Sequence, residues 1–396
     1  MSCRLTCLIA LATISALPAA AQSLKADEIV SSIAVAAIDP PVPVLGADDR
    51  VHLAYELHID NHSRLFVTPN QIEAVDAGGK VLGTLKGDAL TAMMTSFSGK
   101  PRLIPPGGTA TAFMDVSFAV GETVPETVFA RVTATRELAD ENGNPVPLGK
   151  DQPVPATYTF TGAPTPVSGK AVVISPPLKG KHWVAVNGCC DTVTSHRGEI
   201  MPVNGQMRLP ERFAIDWVKL DDKGQVFTGK ADQLSSYAYY GTEVLSVADG
   251  TVVNLYNEAD EQVPGEDPKG ITTENIGGNM LVVDIGNGNF AFYAHLQRDS
   301  LKVKLGDKVT TGQPLALLGN TGNSTGPHLH FHVMDGPSPL DANGLPFTFT
   351  SFTGEGVLVD QDEAMEDGKP VRPDTSRLTG KMENRLPLNN QVVSFD

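Results

Sequence analysis

Apolar residues in the first half of this chain recur at every second position, in short runs cut by proline and glycine. That period suits a strand with one buried face and is wrong for a helix. In VHLAYELHI, Val51, Leu53, Tyr55, Leu57 and Ile59 share one face while His52, Glu56 and His58 take the other. ATAFMDVSF repeats the pattern with Ala112, Met114, Val116 and Phe118. Turn chemistry separates the runs, in DAGGK, IPPGGT and DENGNP, and no long helical period competes. The expectation is an all-β chain that opens with a β-sandwich over 24–161. The polar face of VHLAYELHI is expected to be solvated rather than metal-binding.

Further along, GAPTPVSGK at 162–170 reads as a linker. A second β-rich domain is expected over 171–352, built from strand–turn–strand units such as GTEVLSVADGTVVNLY and LGDKVTTGQPLALLGNTG. The acidic stretch 257–275 reads as a surface loop, 353–385 as a polar loop, and 386–396 as a closing strand. The first residues, MSCRLTCLIALATISALPAAAQS, have the charged start, apolar centre and small-residue cleavage site of a signal peptide over 1–21. An exported protein is therefore expected, periplasmic or extracellular, with no transmembrane segment in the mature chain. Thirty basic residues against 46 acidic ones, a formal charge of −16, speak against nucleic acid or anionic lipid as partner. Of the four cysteines, Cys3 and Cys7 fall in the leader. Cys189 and Cys190 are adjacent, open to a vicinal disulfide or a thiol pair, and are expected to serve a tight turn.

The stretch STGPHLHFHV concentrates three of the nine histidines in five residues. Leu329, Phe331 and Val333 alternate with His328, His330 and His332, so on a strand the histidines share a face, with neighbours roughly 6.5–7 Å apart. Partners are available: His295 in FYAHL, Asp216 in RFAIDWV and His196 in TSHRGEI. A hydrolytic metal site takes three N/O ligands and a water. Zinc makes hydroxide available near neutral pH, and a nearby histidine can accept the proton. Two histidines and a carboxylate also describe non-haem iron sites, a reading that the expected export signal and the additional histidines disfavour.

The combination of YAHL with HLH after the GNTGNSTGP loop resembles the lysostaphin-type, LytM-like zinc metallopeptidases that cut peptidoglycan cross-links. The resemblance covers roughly 184–333. It implies an antiparallel β-sheet core, zinc as cofactor and peptidoglycan peptides as substrate. It implies that His330 and Asp216 ligate the metal, that His328 takes the proton of the water, and that His295 is the second catalytic histidine. The family's usual first ligand lies four residues before the aspartate, where this chain has Arg212, which has no lone pair to offer. The nearest upstream histidine, His196, is expected to replace it, with His182 as competitor. His332 is expected to stay out of the ligand set. Arg212 also motivates an alternative, a catalytically inactive domain that binds and activates other cell-wall hydrolases. The partner of the sandwich is not legible.

Overall fold

A computed structural model describes residues 28–96, 99–359 and 361–396; the expected signal peptide, 1–21, lies outside the described residues. Strand Arg50–Asn61 lies between Ile33–Ala37 and Thr109–Ala119, with Met94–Ser96 beyond and Val44–Leu45 paired to its start. The register sets Tyr55 opposite Met114 and Leu57 opposite Ala112. A second five-stranded sheet runs Thr157–Pro166, Thr127–Ala139, Phe66–Val75, Val81–Lys86, with Pro145–Pro147 added to Thr127–Ala139. Leu53, Tyr55, Leu57 and Ile59 from the first sheet share one buried core with Ile72, Ala74, Val128 and Val132 from the second. The alternation thus buries one face of each sheet against the other, which is a β-sandwich.

A third sheet has 12 strands. Its middle runs Gly180–Val186, Ile215–Lys219, Leu329–Met334, Asn289–Leu296 and Asn279–Gly286, each antiparallel to the next. One face presents Trp183, Trp217, Tyr293 and Phe331 to a large core. Burying a side chain of that size contributes roughly 1.5–3 kcal/mol, so this face decides which way the strands turn. The opposite face then carries Asp216, His330, His332 and Phe292. Gln391–Phe395 lies between Gly180–Val186 and Phe347–Val357. Ser31–Asp396, sandwich strands included, forms one compact unit. Among the described residues, no helix is long and apolar enough to cross a membrane.

Three segments differ from expectation. Strand Thr157–Pro166 continues through the first half of the expected linker and pairs with Thr127–Ala139. The stretch expected as a polar loop, 353–385, contains the end of Phe347–Val357 and the whole of Asp374–Arg385, which form a hairpin with Thr353 opposite Lys381. Most of Asp374–Arg385 is solvent-exposed along its length, so no apolar period marks it. The polar face of Arg50–Asn61 is also not solvated: Glu56 is fully buried and His52 nearly so, because the third-sheet part of the chain covers that face. His58 alone of the three is partly exposed, 29% at its side chain.

Candidate metal centre

Asp216 and His330 are direct neighbours across two antiparallel strands, and this register brings their side chains together on the polar face. His330 Nδ1 lies 3.0 Å from Asp216 Oδ1. His196 arrives from outside the sheet, on the short helical turn Ser195–Gly198. Thr194 Oγ1 caps that turn by accepting the Arg197 N–H. His196 Nδ1 donates to the Ala214 carbonyl at 3.0 Å, which leaves Nε2 facing Asp216 Oδ2 at 3.1 Å. Asn187 Nδ2 donates to the same oxygen at 2.9 Å and steadies the carboxylate. The ligating atoms of His196, Asp216 and His330 all lie within 4.8 Å of one another, close enough to hold one metal ion.

His328 and His295 flank this trio. Nδ1 of His328 donates to the Gly326 carbonyl at 2.8 Å, so Nε2 is turned inward, 3.4 Å from Asp216 Oδ1. His295 reaches the same cleft by a break in the pleat. Ala294 sits opposite His330, and under strict alternation His295 would point into the core. The pairing with Asn279–Gly286 carries a bulge here, and His295 has φ of 59°. Two successive residues, Ala294 and His295, therefore both line the cleft. Its Nδ1 donates to the Thr321 carbonyl at 2.8 Å, and the rings of His295 and His328 are 4.6 Å apart. Thr321 belongs to the glycine-rich loop that the sequence singled out. The expected acidic loop braces it: Glu261 accepts the Asn320 N–H at 2.8 Å. The cleft holds about 340 Å³ and is also lined by Glu211, Phe292, Met201 and Leu340. A larger cleft, about 1220 Å³, lies elsewhere, around His52, Cys190 and the C-terminal hairpin. It contains none of the five residues.

The electrostatics follow from burial and a single carboxylate. Burial disfavours the charged form of Asp216, but the imidazoles of His196 and His328 outweigh it and hold the carboxyl well below its usual range. Burial opposes charge on His196 too, and Asp216 with Glu211 overcomes it, raising the imidazole to about 9. His328 is raised in the same way, with Asp216 again outweighing burial. His295 moves oppositely: burial, then His328 and His330, push it well down and keep the ring neutral. Two adjacent histidines are thus driven apart in proton affinity, an arrangement suited to acid–base work.

All five expected site residues meet in one cleft. His182 does not: it sits at the far end of its strand and pairs with Glu355 at 2.5 Å. Arg212 points away from the cleft, toward the sandwich. His332 is buried, with Nδ1 3.0 Å from His330 Nε2. Cys189 and Cys190 form a vicinal disulfide. Sequence reasoning missed Asn187, Glu211 and Thr321. The first two are single polar residues with no periodic signal; Thr321 lay in the loop already flagged, but its role passes through a backbone carbonyl.

The antiparallel sheet thus gathers two imidazoles and one carboxylate at a point where they could hold a metal ion, with two further histidines beside them. Residues 234–342 match the model of peptidase family M23. The match takes in His295, His328 and His330 and stops short of His196 and Asp216. The chain is 35% identical over 102 residues to peptidoglycan DD-endopeptidase ShyA of Vibrio cholerae, covering 26% of this chain and 20% of ShyA. It is 27% identical over 223 residues to cell division protein DipM of Caulobacter vibrioides, covering 55% of this chain and 31% of DipM. It thus spans less than a third of either relative. A solved catalytic domain of lysostaphin from Staphylococcus simulans aligns with 41% of this chain and 88% of its own length, at 21% identity and a TM-score of 0.22.

Proposed function

We propose that this protein is an exported zinc metalloendopeptidase that hydrolyses peptide bonds in peptidoglycan stem peptides or cross-links. The observation that carries the reading is the convergence of His196, Asp216 and His330 within 4.8 Å, with His295 and His328 on the same cleft wall. The donor set fits zinc: two imidazole nitrogens and one carboxylate oxygen are the number and kind of ligand that hydrolytic zinc sites take. His196, Asp216 and His330 would hold the ion. When bound, zinc supplies a Lewis acid that polarises a carbonyl and lowers the pKa of water. His328 has its Nδ1 proton engaged by Gly326 and its Nε2 turned toward Asp216, whose carboxylate raises its proton affinity, so Nε2 is the atom that would take a proton from the attacking water. His295, held neutral, orients that water or steadies the oxygen of the tetrahedral intermediate from the other side.

The division of labour belongs to the same proposal: a sandwich over 24–161 and a metallopeptidase domain over 171–352, in a chain that leaves the cytoplasm behind a signal peptide over 1–21. The peptidoglycan substrate is supported by similarity to the DD-endopeptidase ShyA and by the M23 match. Digestion of purified sacculi, followed by mass analysis of the released fragments, tests it. Wild-type protein is expected to release fragments with newly freed peptide termini, and His328→Ala to release none. Unchanged sacculi with metal-loaded wild type would count against the proposal.

A further inference from the structure

Three charged side chains are buried together where the sandwich meets the third sheet. Glu56 is 0% exposed, Arg197 1% and Arg212 2%. Glu56 comes from sandwich strand Arg50–Asn61. One carboxylate oxygen faces Arg197 Nε at 3.4 Å, and the other faces Arg212 Nη1 at 3.5 Å. Arg197 also donates to the carbonyls of Cys190 and Met114, the second at 2.6 Å. Arg212 also pairs with Asp39 at 2.8 Å and donates to the Gly344 carbonyl at 3.3 Å. Two carboxylates balance two guanidinium groups.

The two arginines occupy telling positions. Arg197 directly follows His196 on the capped turn. Arg212 leads into strand Ile215–Lys219, which carries Asp216, and follows Glu211, whose carboxylate is 3.9 Å from His330 Nε2. We propose that Glu56 is a positioning residue: one sandwich carboxylate clamps both ligand-bearing segments and so sets the separation of His196 and Asp216. The inference rests on the reading of those two residues as metal ligands. A buried carboxylate without partners is very costly, so Glu56 permits only arrangements in which both forks reach it. Buried ion clusters add little net stability compared with apolar packing, and their best-attested use is to select one geometry. The sandwich then belongs to the metal centre's supporting structure, and Arg212 acts as an anchor where the family pattern has a ligand.

Metal affinity of the full-length protein separates this from a general packing role. Co²⁺ and Zn²⁺ dissociation constants, measured by competition with a chromophoric chelator, are compared for wild type, Glu56→Gln, Arg212→Lys and Ile72→Ala. Ile72 is fully buried in the sandwich core and lies in the other sheet from Glu56, so its variant reports lost stability. Glu56→Gln is expected to weaken metal binding about tenfold, as loss of partners behind a ligand does. Arg212→Lys, which keeps the charge but loses the planar fork that spans Glu56 and Asp39, is expected to weaken it severalfold and decides the matter should Glu56→Gln not fold. Ile72→Ala is expected to lower Tm with an unchanged dissociation constant. Wild-type affinity in both charge variants, or an equal loss in Ile72→Ala, would overturn the proposal while leaving the metal site intact. A wild-type protein that binds neither ion would overturn the site itself.

Discussion

Asp216 is the residue around which the site is organised. One of its oxygens faces His330 and His328, and the other faces His196 and accepts from Asn187. Its neighbours differ in what their loss should do. His330→Ala or Asp216→Ala removes a donor atom, so bound metal and activity should vanish together. In the proposed mechanism His328 is the proton acceptor, so in His328→Ala metal should stay while kcat/KM falls by about 10²–10⁴. Metal analysis beside kinetics checks the split, and loss of metal from His328→Ala would show the roles to be misassigned. At this scale the sequence was most readable where alternation surrounds the residue: His330 between Leu329 and Phe331, Asp216 between Ile215 and Trp217. His196 has no such frame, since a four-residue turn carries no period, and it was found only as the nearest upstream histidine. Glu56 was misread because its burial comes from a surface supplied more than a hundred residues later.

At the scale of elements, the strand Asn289–Leu296 and the loop after Gly319 work as a pair. The bulge turns His295 into the cleft, and the loop supplies the Thr321 carbonyl that orients it. The loop can approach so closely because Gly322 has φ of 73° and a Cβ there would collide with the backbone of Gly278. Gly322→Ala should cost about 1–2 kcal/mol from the left-handed backbone alone. It should also lower kcat/KM by shifting Thr321, with metal still bound. Thermal unfolding and kinetics on a peptide substrate check both effects, and an unchanged Tm would contradict the close approach. The sandwich strands were legible because each has one buried face. The hairpin of Phe347–Val357 with Asp374–Arg385 was not, because strand Asp374–Arg385 is mostly solvated and reads as a polar loop. The bulge at His295 was equally invisible, since it changes no residue type in FYAHL.

Across the whole molecule, the sandwich contributes a second buried charge arrangement, at His52. Its Nδ1 lies 3.0 Å from Asp115 and its Nε2 3.1 Å from Asp48. Burial works against the charged ring, but the hydrogen bonds to Asp115 and Asp48 prevail and raise it to about 9. A folded-state pKa above the unfolded value of 6.5 stabilises the fold fully below that value, and the gain disappears as pH rises through 9. On that shift the contribution is on the order of 3 kcal/mol. The Tm difference between wild type and His52→Gln should therefore be large near pH 6 and shrink by about pH 9.5. A difference that does not vary with pH would mean that His52 is neutral in the fold.

In the proposed site His196, brought by a turn outside the sheet, completes the ligand set with Asp216 and His330. Elemental analysis of purified full-length protein and of His196→Ala tests it most directly. About one zinc per wild-type chain, with loss of that zinc from a folded His196→Ala variant, is the result predicted from the donor set. Zinc retained at wild-type stoichiometry and affinity in His196→Ala, or a wild-type chain that takes up none, would contradict it.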